Sequence, residues 1–356
     1  MSNKPVLAGH RSEKYWVNIL NRHDVPIGVL DGFESGSISL NVNATIRGGG
    51  SLDYTGPEIE WHDYRLQPWF HAIDETTGEE IKRPLGIYLP TAPGTSYDTA
   101  RAQTIELYDK TDILNSEKYE QTFTVPAGAN VVQWVRSIIA STGETAIAID
   151  DSDETLRTAQ VFDHQFTKLQ IVNKLLDSIE YFALWCDGWG VYRSGPRKPP
   201  QQRAVEVILE DTEDNALYDP AFTHDYDSYR VANHVVALSE TDGEKPPLRA
   251  SARNDNPDSP FSTVRRGRVI TRFEESVEAT SQAVLQAYVN RLLWEEQQVL
   301  SKFQIKHAHV DTWFNDVVTF RATRWGIDVP CVIQKHDITL KPGEDVSTEL
   351  REIVNA

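Results

Sequence analysis

The hydrophobic period of this chain changes near residue 125, and that change limits the fold more than any motif does. Before it, apolar residues alternate with polar ones, the two-residue period of a half-buried strand. Residues 16–20, 36–46, 85–89 and 101–109 read this way, with Ile38, Leu40 and Val42 sharing one face of the second stretch. Residues 65–74 add a further strand, followed by a turn at Thr76, Thr77, Gly78 and Glu79. Short strands at this spacing predict a barrel or sandwich over roughly the first 120 residues.

After it the period is helical. Asn130 is placed to cap a helix carrying Val131, Val132, Trp134, Val135, Ile138 and Ile139, closed by Gly143. A second helix starts at Thr167 and carries Ile171, Val172, Leu175, Leu176 and Ile179. Asp187-Gly188 then predicts a two-residue hairpin turn, because glycine adopts the positive φ such a turn requires. Residues 125–192 therefore read as a small α/β unit. A Pro-rich basic connector covers 194–203, and strands resume at 205–209 and 231–238. Residues 240–266 read as a long polar interface loop rather than core. A helix from Thr280, an alternating strand over 303–311, the stretch from Trp313 through Asp316, and a strand from Cys331 close the chain. The fold class predicted is α+β, mostly β.

A length of 356 residues allows two or three domains. With 53 acidic against 35 basic residues, the formal charge is −18. That balance argues against non-specific binding to a phosphate backbone, which needs basic patches. No apolar run approaches the roughly 18 residues of a membrane span, so no membrane insertion by this chain is expected. The N-terminus lacks the apolar core of a secretory signal, which predicts synthesis and folding in the cytoplasm of the producing cell. Cys186 and Cys331, the only cysteines, make neither a disulfide framework nor a zinc site.

Candidate chemistry is thin. Gly48, Gly49 and Gly50 lack the Lys-Ser/Thr that follows a phosphate loop and read as a flexible turn. Residues 150–154 are acidic, but a calcium loop starting at Asp150 would need Gly at Thr155 and Glu at Val161; a solvated acidic turn is the better reading. His307, His309 and Asp311 alternate along one predicted strand and would share a face, the spacing of a weak zinc-site candidate; the plainer reading is the polar face of an edge strand. Nine tryptophans and many carboxylates raise a sugar-cleaving cleft, but no Asp/Glu pair stands on a recognisable strand end. Core packing accounts for Trp61, Trp69, Trp134 and Trp185. No serine nucleophile elbow or His-Glu-x-x-His is present. No catalytic residue and no cofactor is therefore assigned.

Three stretches, taken in order, resemble the central hub proteins of phage tail tips and baseplates. The first runs from Gly86-Ile87-Tyr88-Leu89-Pro90 to residues 104–114, with the turn Asp109-Lys110-Thr111 its most specific part. The second is the two-helix unit ending at Asp187-Gly188. The third begins at Asn233, passes the polar loop and Gly267-Arg268, and continues through the Thr280 helix and the closing strands with Asp316. The resemblance implies two tail-tube-like β-barrel domains with an inserted small α/β domain. The first barrel would take residues 1–124, the insertion 125–204, strands and the polar loop 205–272, and a closing helix plus strands 273–356. It further implies a non-enzymatic homotrimer that adapts a sixfold tail tube to a threefold tip in the virion of a flexible-tailed phage. Partners would be the distal tail ring or tube protein, the tape-measure protein and downstream tip or fibre proteins. DNA would pass through the channel without specific binding. Ending at Ala356, the chain resembles a minimal hub with no fused wall-degrading domain. The alternative is a carbohydrate- or receptor-binding adhesin, supported by Trp313, Phe314 and Trp325 beside loops; a glycosidase ranks below it.

Overall fold

Alternation in the first third becomes strands that pair almost wholly antiparallel. Along Arg101–Asp109, Gln103, Ile105, Leu107 and Asp109 turn inward while the residues between them face out. The structure is a computed structural model describing residue 7 and residues 10–91, 93–97, 101–212, 215–226, 231–240, 246–298 and 301–353. Its main element is one sheet of sixteen strands, and the fold is α+β and mostly β, as the sequence predicts.

The two strand-rich ends of the chain meet in that sheet. The thirteen-residue strand Ile327–Thr339 pairs with Val317–Ala322 and Val346–Glu352, and its second half pairs with Phe33–Asn41. Two cores lie along it. The first holds Ile38, Leu40, Leu52, Phe70 and Leu107 together with Ile338 and Val346. The second holds Leu209, Phe303, Ile305, Phe320, Cys331, Ile333 and Leu350. Cys331 and Ile333 face inward at odd positions, Ile338 at an even one. An irregularity in the pairing with Val346–Glu352, between Ile333 and Lys335, accounts for the change. One extra residue flips the pleat and keeps the same sheet face turned to both cores.

Gly48, Gly49 and Gly50 are not a turn. They open the strand Gly48–Thr55, paired on both sides with Phe33–Asn41 and Arg101–Asp109. The glycines serve close packing: a Cβ on Gly50 would lie 2.0 Å from the Ser37 carbonyl oxygen.

The helices are α1 (Thr111–Ser116), α2 (Val131–Ala140), α3 (Lys168–Asp177), α4 (Thr263–Arg266) and α5 (Gln282–Gln298). Asn130 caps α2 by accepting from the Gln133 amide, and Thr167 forms a reciprocal capping box with Gln170 on α3. Their apolar stripes bury Val135, Ile139, Val172 and Leu176 in a separate core with Phe162 and Tyr192. The predicted two-residue turn at Asp187-Gly188 is corrected. Trp185–Cys186 and Tyr192–Ser194 do pair, but five residues join them, and the positive φ falls on Gly190. The Asp187 side chain sets that longer loop by accepting from the Trp189 and Val191 amides.

The 240–266 stretch is also more ordered than a loop; its residues 241–245 lie outside the described residues. Arg249–Arg253 pairs with His234–Ser239, which pairs in turn with Thr271–Val277. Helix α5 lies on this three-stranded sheet, burying Leu285, Val289 and Leu292 against Val235, Ala237 and Ala250. Its Trp294 also packs with Val205, Val317, Val332 and Ile353, so the helix from Thr280 lies between this sheet and the second half of the large one.

Candidate functional site

The Asp109-Lys110-Thr111 turn ends an inward-facing strand, so its side chains enter the protein rather than solvent. The Asp109 carboxylate is buried, accepts from the Gly48 amide at 2.7 Å and the Thr111 amide at 2.8 Å, and also takes the Thr111 hydroxyl. Burial pushes its pKa up, against the pull of the Thr111 and Gly48 donors.

Lys110 has no solvent exposure. Its Nζ lies 2.5 Å from Asp24 Oδ2, 2.6 Å from Glu144 Oε2 and 3.1 Å from the Gly190 carbonyl oxygen. Arg65 bridges the same two carboxylates at 2.6 Å each. Burial by itself would lower the Arg65 pKa; the hydrogen bonds it donates to Glu144 and Asp24, with their charges, outweigh it and leave it raised. Two cations and two anions thus close a square. Asp24 comes from the turn after Arg11–Leu20, Arg65 from the start of Arg65–Asp74, Lys110 from the end of Arg101–Asp109, and Glu144 from the loop after α2. The square joins the first sheet core to the helical unit.

The same junction takes the tip of the Asp187 loop. A Cβ on Gly188 would stand 2.5 Å from the Pro84 carbonyl oxygen, and one on Gly190 2.7 Å from Ile87. Gly86 lies close by with φ +126°, over Tyr88, whose hydroxyl donates to the Leu85 carbonyl at 2.7 Å. Gly86, Asp109, Lys110, Thr111, Asp187 and Gly188 are therefore gathered in one place. Asp24, Arg65 and Glu144 were not singled out from the sequence; they lie 86, 45 and 34 residues from Lys110, and no local pattern marks them.

The other expected residues sit elsewhere. Asn233 is buried and donates to the Phe261 and Arg268 carbonyls while accepting from the Ile270 amide. It ties the polar stretch to its sheet, and Gly267 caps α4 at φ +62°. Asp316 accepts from the Trp313 amide at 2.8 Å in the turn before Val317–Ala322.

His307, His309 and Asp311 do not share one strand face. The strand stops at His307 and is paired on both sides, with Thr223–Tyr226 and Val346–Glu352, so it is no edge. His307 Nε2 and His336 Nδ1 each lie 2.7 Å from the Thr348 hydroxyl, between the two sheet cores. His309 stacks on Phe70 with ring centroids 3.9 Å apart and meets the Tyr15 hydroxyl. Asp311 turns to Arg83. Among the described residues no group of three side chains is placed to hold a metal ion. Burial lowers the pKa of His307 to about 4 and drives those of His309 and His336 well down.

The aromatic support for an adhesin shrinks. Phe314 is buried and Trp313 packs against the first core, leaving Trp325 exposed among the three.

No protein-family model matches the chain, and no curated protein sequence matches it. Solved structures do. A tail protein from Neisseria meningitidis MC58 superposes with a TM-score of 0.69 at 13% identity, over 96% of this chain and 97% of that one. The 43 kDa tail protein of prophage MuSo2 from Shewanella oneidensis gives 0.63 at 11% identity, over 94% and 98%. Prophage tail protein gp18 from Listeria monocytogenes EGD-e gives 0.58 at 12% identity, over 94% of each chain. The chain has the fold of these phage tail proteins along nearly its whole length.

Proposed function

We propose that this chain is a structural subunit of a phage tail tip and acts as a homotrimeric hub. The observation that carries the reading is the pairing of Ile327–Thr339 with Phe33–Asn41, which fuses two sheet cores into one body. Three such subunits would present six sheet units in a ring, the arrangement that lets a threefold tip meet a sixfold tube. The full-length likeness to prophage tail proteins supports the same reading. Ring closure also covers sheet ends that would otherwise invite promiscuous pairing.

In this reading the hub contacts the distal tail ring or tube above, the tape-measure protein within, and tip or fibre proteins below. The formal charge of −18 per chain suits a conduit, because an acidic wall repels DNA and lets it pass without sticking. The work is assembly rather than catalysis, in a flexible-tailed virion.

The deciding measurement is the mass of the purified protein by light scattering, alone and with its tail-ring partner. A mass near three times 40.3 kDa is expected. A particle that stays monomeric in both conditions would refute the hub.

A further inference from the structure

Four paired residues form a row across the second half of the large sheet: Val205 opposite Val317, Val317 opposite Val332, and Val332 opposite Arg351. Directly paired residues share a face, and this row lies on the face turned away from the second core. Helix α5 covers it with Trp294, which packs with Val205, Val317, Val332 and Ile353. The Arg351 guanidinium sits 5.6 Å from the Trp294 ring. Arg203, two residues before Val205, approaches from the other end of the row and donates to the Asn315 carbonyl at 2.6 Å.

Three N–H groups there are buried without a hydrogen-bond partner: Arg203 Nε, Arg351 Nε and Trp294 Nε1. A buried donor is normally paired, so three together, two of them cationic, call for a physical reason. Burial lowers the pKa of Arg351, and Glu295 and Glu349 only partly offset it. Burial lowers that of Arg203 too; Asp316 opposes the shift, and the neighbouring Arg351 charge adds to it. Burial thus disfavours both charges, and the Nε groups of the two arginines and the Trp294 indole N–H have no partner.

We propose that Arg203, Arg351 and Trp294 form a binding site for one carboxylate, either a small free anion or an Asp or Glu side chain presented by another chain. A guanidinium fork matches the two oxygens of a carboxylate, and an indole N–H adds a third donor. Phosphate of a nucleic acid is the poorer match, because a chain of formal charge −18 repels a polyanion before one phosphate can seat. The site stands independently of the tail reading.

The test uses the full chain labelled with 5-fluorotryptophan, its Trp294 resonance assigned by W294F. Sodium acetate is titrated against sodium chloride at matched ionic strength. A saturable shift of Trp294 with acetate alone is expected, weakened by about tenfold in R203M and R351K. R351K keeps the charge and the aliphatic stem, so lost binding with an unchanged unfolding midpoint isolates the fork. A dilution series separates the sources. A side chain from a second copy makes the Trp294 resonance depend on protein concentration, and acetate then lowers the mass of the particle. A free anion leaves both unchanged. If Trp294 ignores acetate at every protein concentration, and the variants match the wild type, the site is refuted. An oligothymidylate that shifts Trp294 at lower concentration than acetate would overturn the carboxylate assignment.

Discussion

Lys110 is held without solvent contact by carboxylates 2.5 and 2.6 Å away, with Arg65 on their far side. Removing one partner from a buried ion pair strands the others, at about 3–5 kcal/mol. Lys110→Met is therefore expected to lower unfolding stability by roughly that amount, read from the urea midpoint. Replacing all four members with apolar residues should cost far less, since the desolvation penalty leaves with the charges. His307 gives a prediction with a definite sign. Its folded pKa, about 4, lies below the ordinary value of 6.5, so below pH 6.5 the unfolded chain takes up a proton that the folded chain refuses. Its contribution to stability is intact above that pH, falls as pH drops toward 4, and totals about 3 kcal/mol. His309 and His336 shift in the same direction. Unfolding midpoints at pH 8, 6 and 4 should fall in that order, with a shallower fall in His307→Gln. A flat profile would mean that these rings do not titrate on unfolding.

At the scale of elements, glycine positions separate what a local pattern reveals from what it hides. Gly143 and Gly267 follow helices and have the positive φ of a helix end, which the sequence reading of Gly143 anticipated. Gly50 looks like a turn residue but lies inside a strand, where its missing side chain admits the Ser37 backbone. Gly50→Ala must push two paired strands apart, and a loss of about 1–3 kcal/mol or more is expected; Gly78→Ala, with open space around its Cβ position, controls for glycine itself, although its φ of +74° adds some strain. Helix existence was legible because caps and apolar spacing are local: Asn130 and Thr167 both cap as read. The role of α5 was not, because its apolar face specifies burial but not which of several sheets it covers.

The whole molecule depends on one long strand. Ile327–Thr339 contributes Cys331 and Ile333 to one core and Ile338 to the other, so neither core can open while this strand stays paired with both. Amide exchange along residues 331–338 is expected to be among the slowest in the chain and to report global unfolding. The sheet under α5, with its own core, should open at lower free energy. If residues 331–338 exchange as fast as residues 271–277, the two cores are not coupled through that strand.

The sequence by itself determined the strand-rich ends, the capped helices between them, the mostly β class and the absence of a recognisable catalytic motif. These follow from period, capping and composition, which act within a few residues of one another. Only the tertiary structure decided that Asp24, Arg65, Lys110 and Glu144 form one charged square, that His307 and His336 share Thr348, and that Arg351 stacks on Trp294 within electrostatic reach of Arg203, each of the three with an unpaired buried N–H. Each of those groupings joins residues tens to hundreds of positions apart, and the energy that brings them together is the burial of apolar surface elsewhere. That driving force is non-directional; which polar groups it brings together is settled by strand register and helix docking.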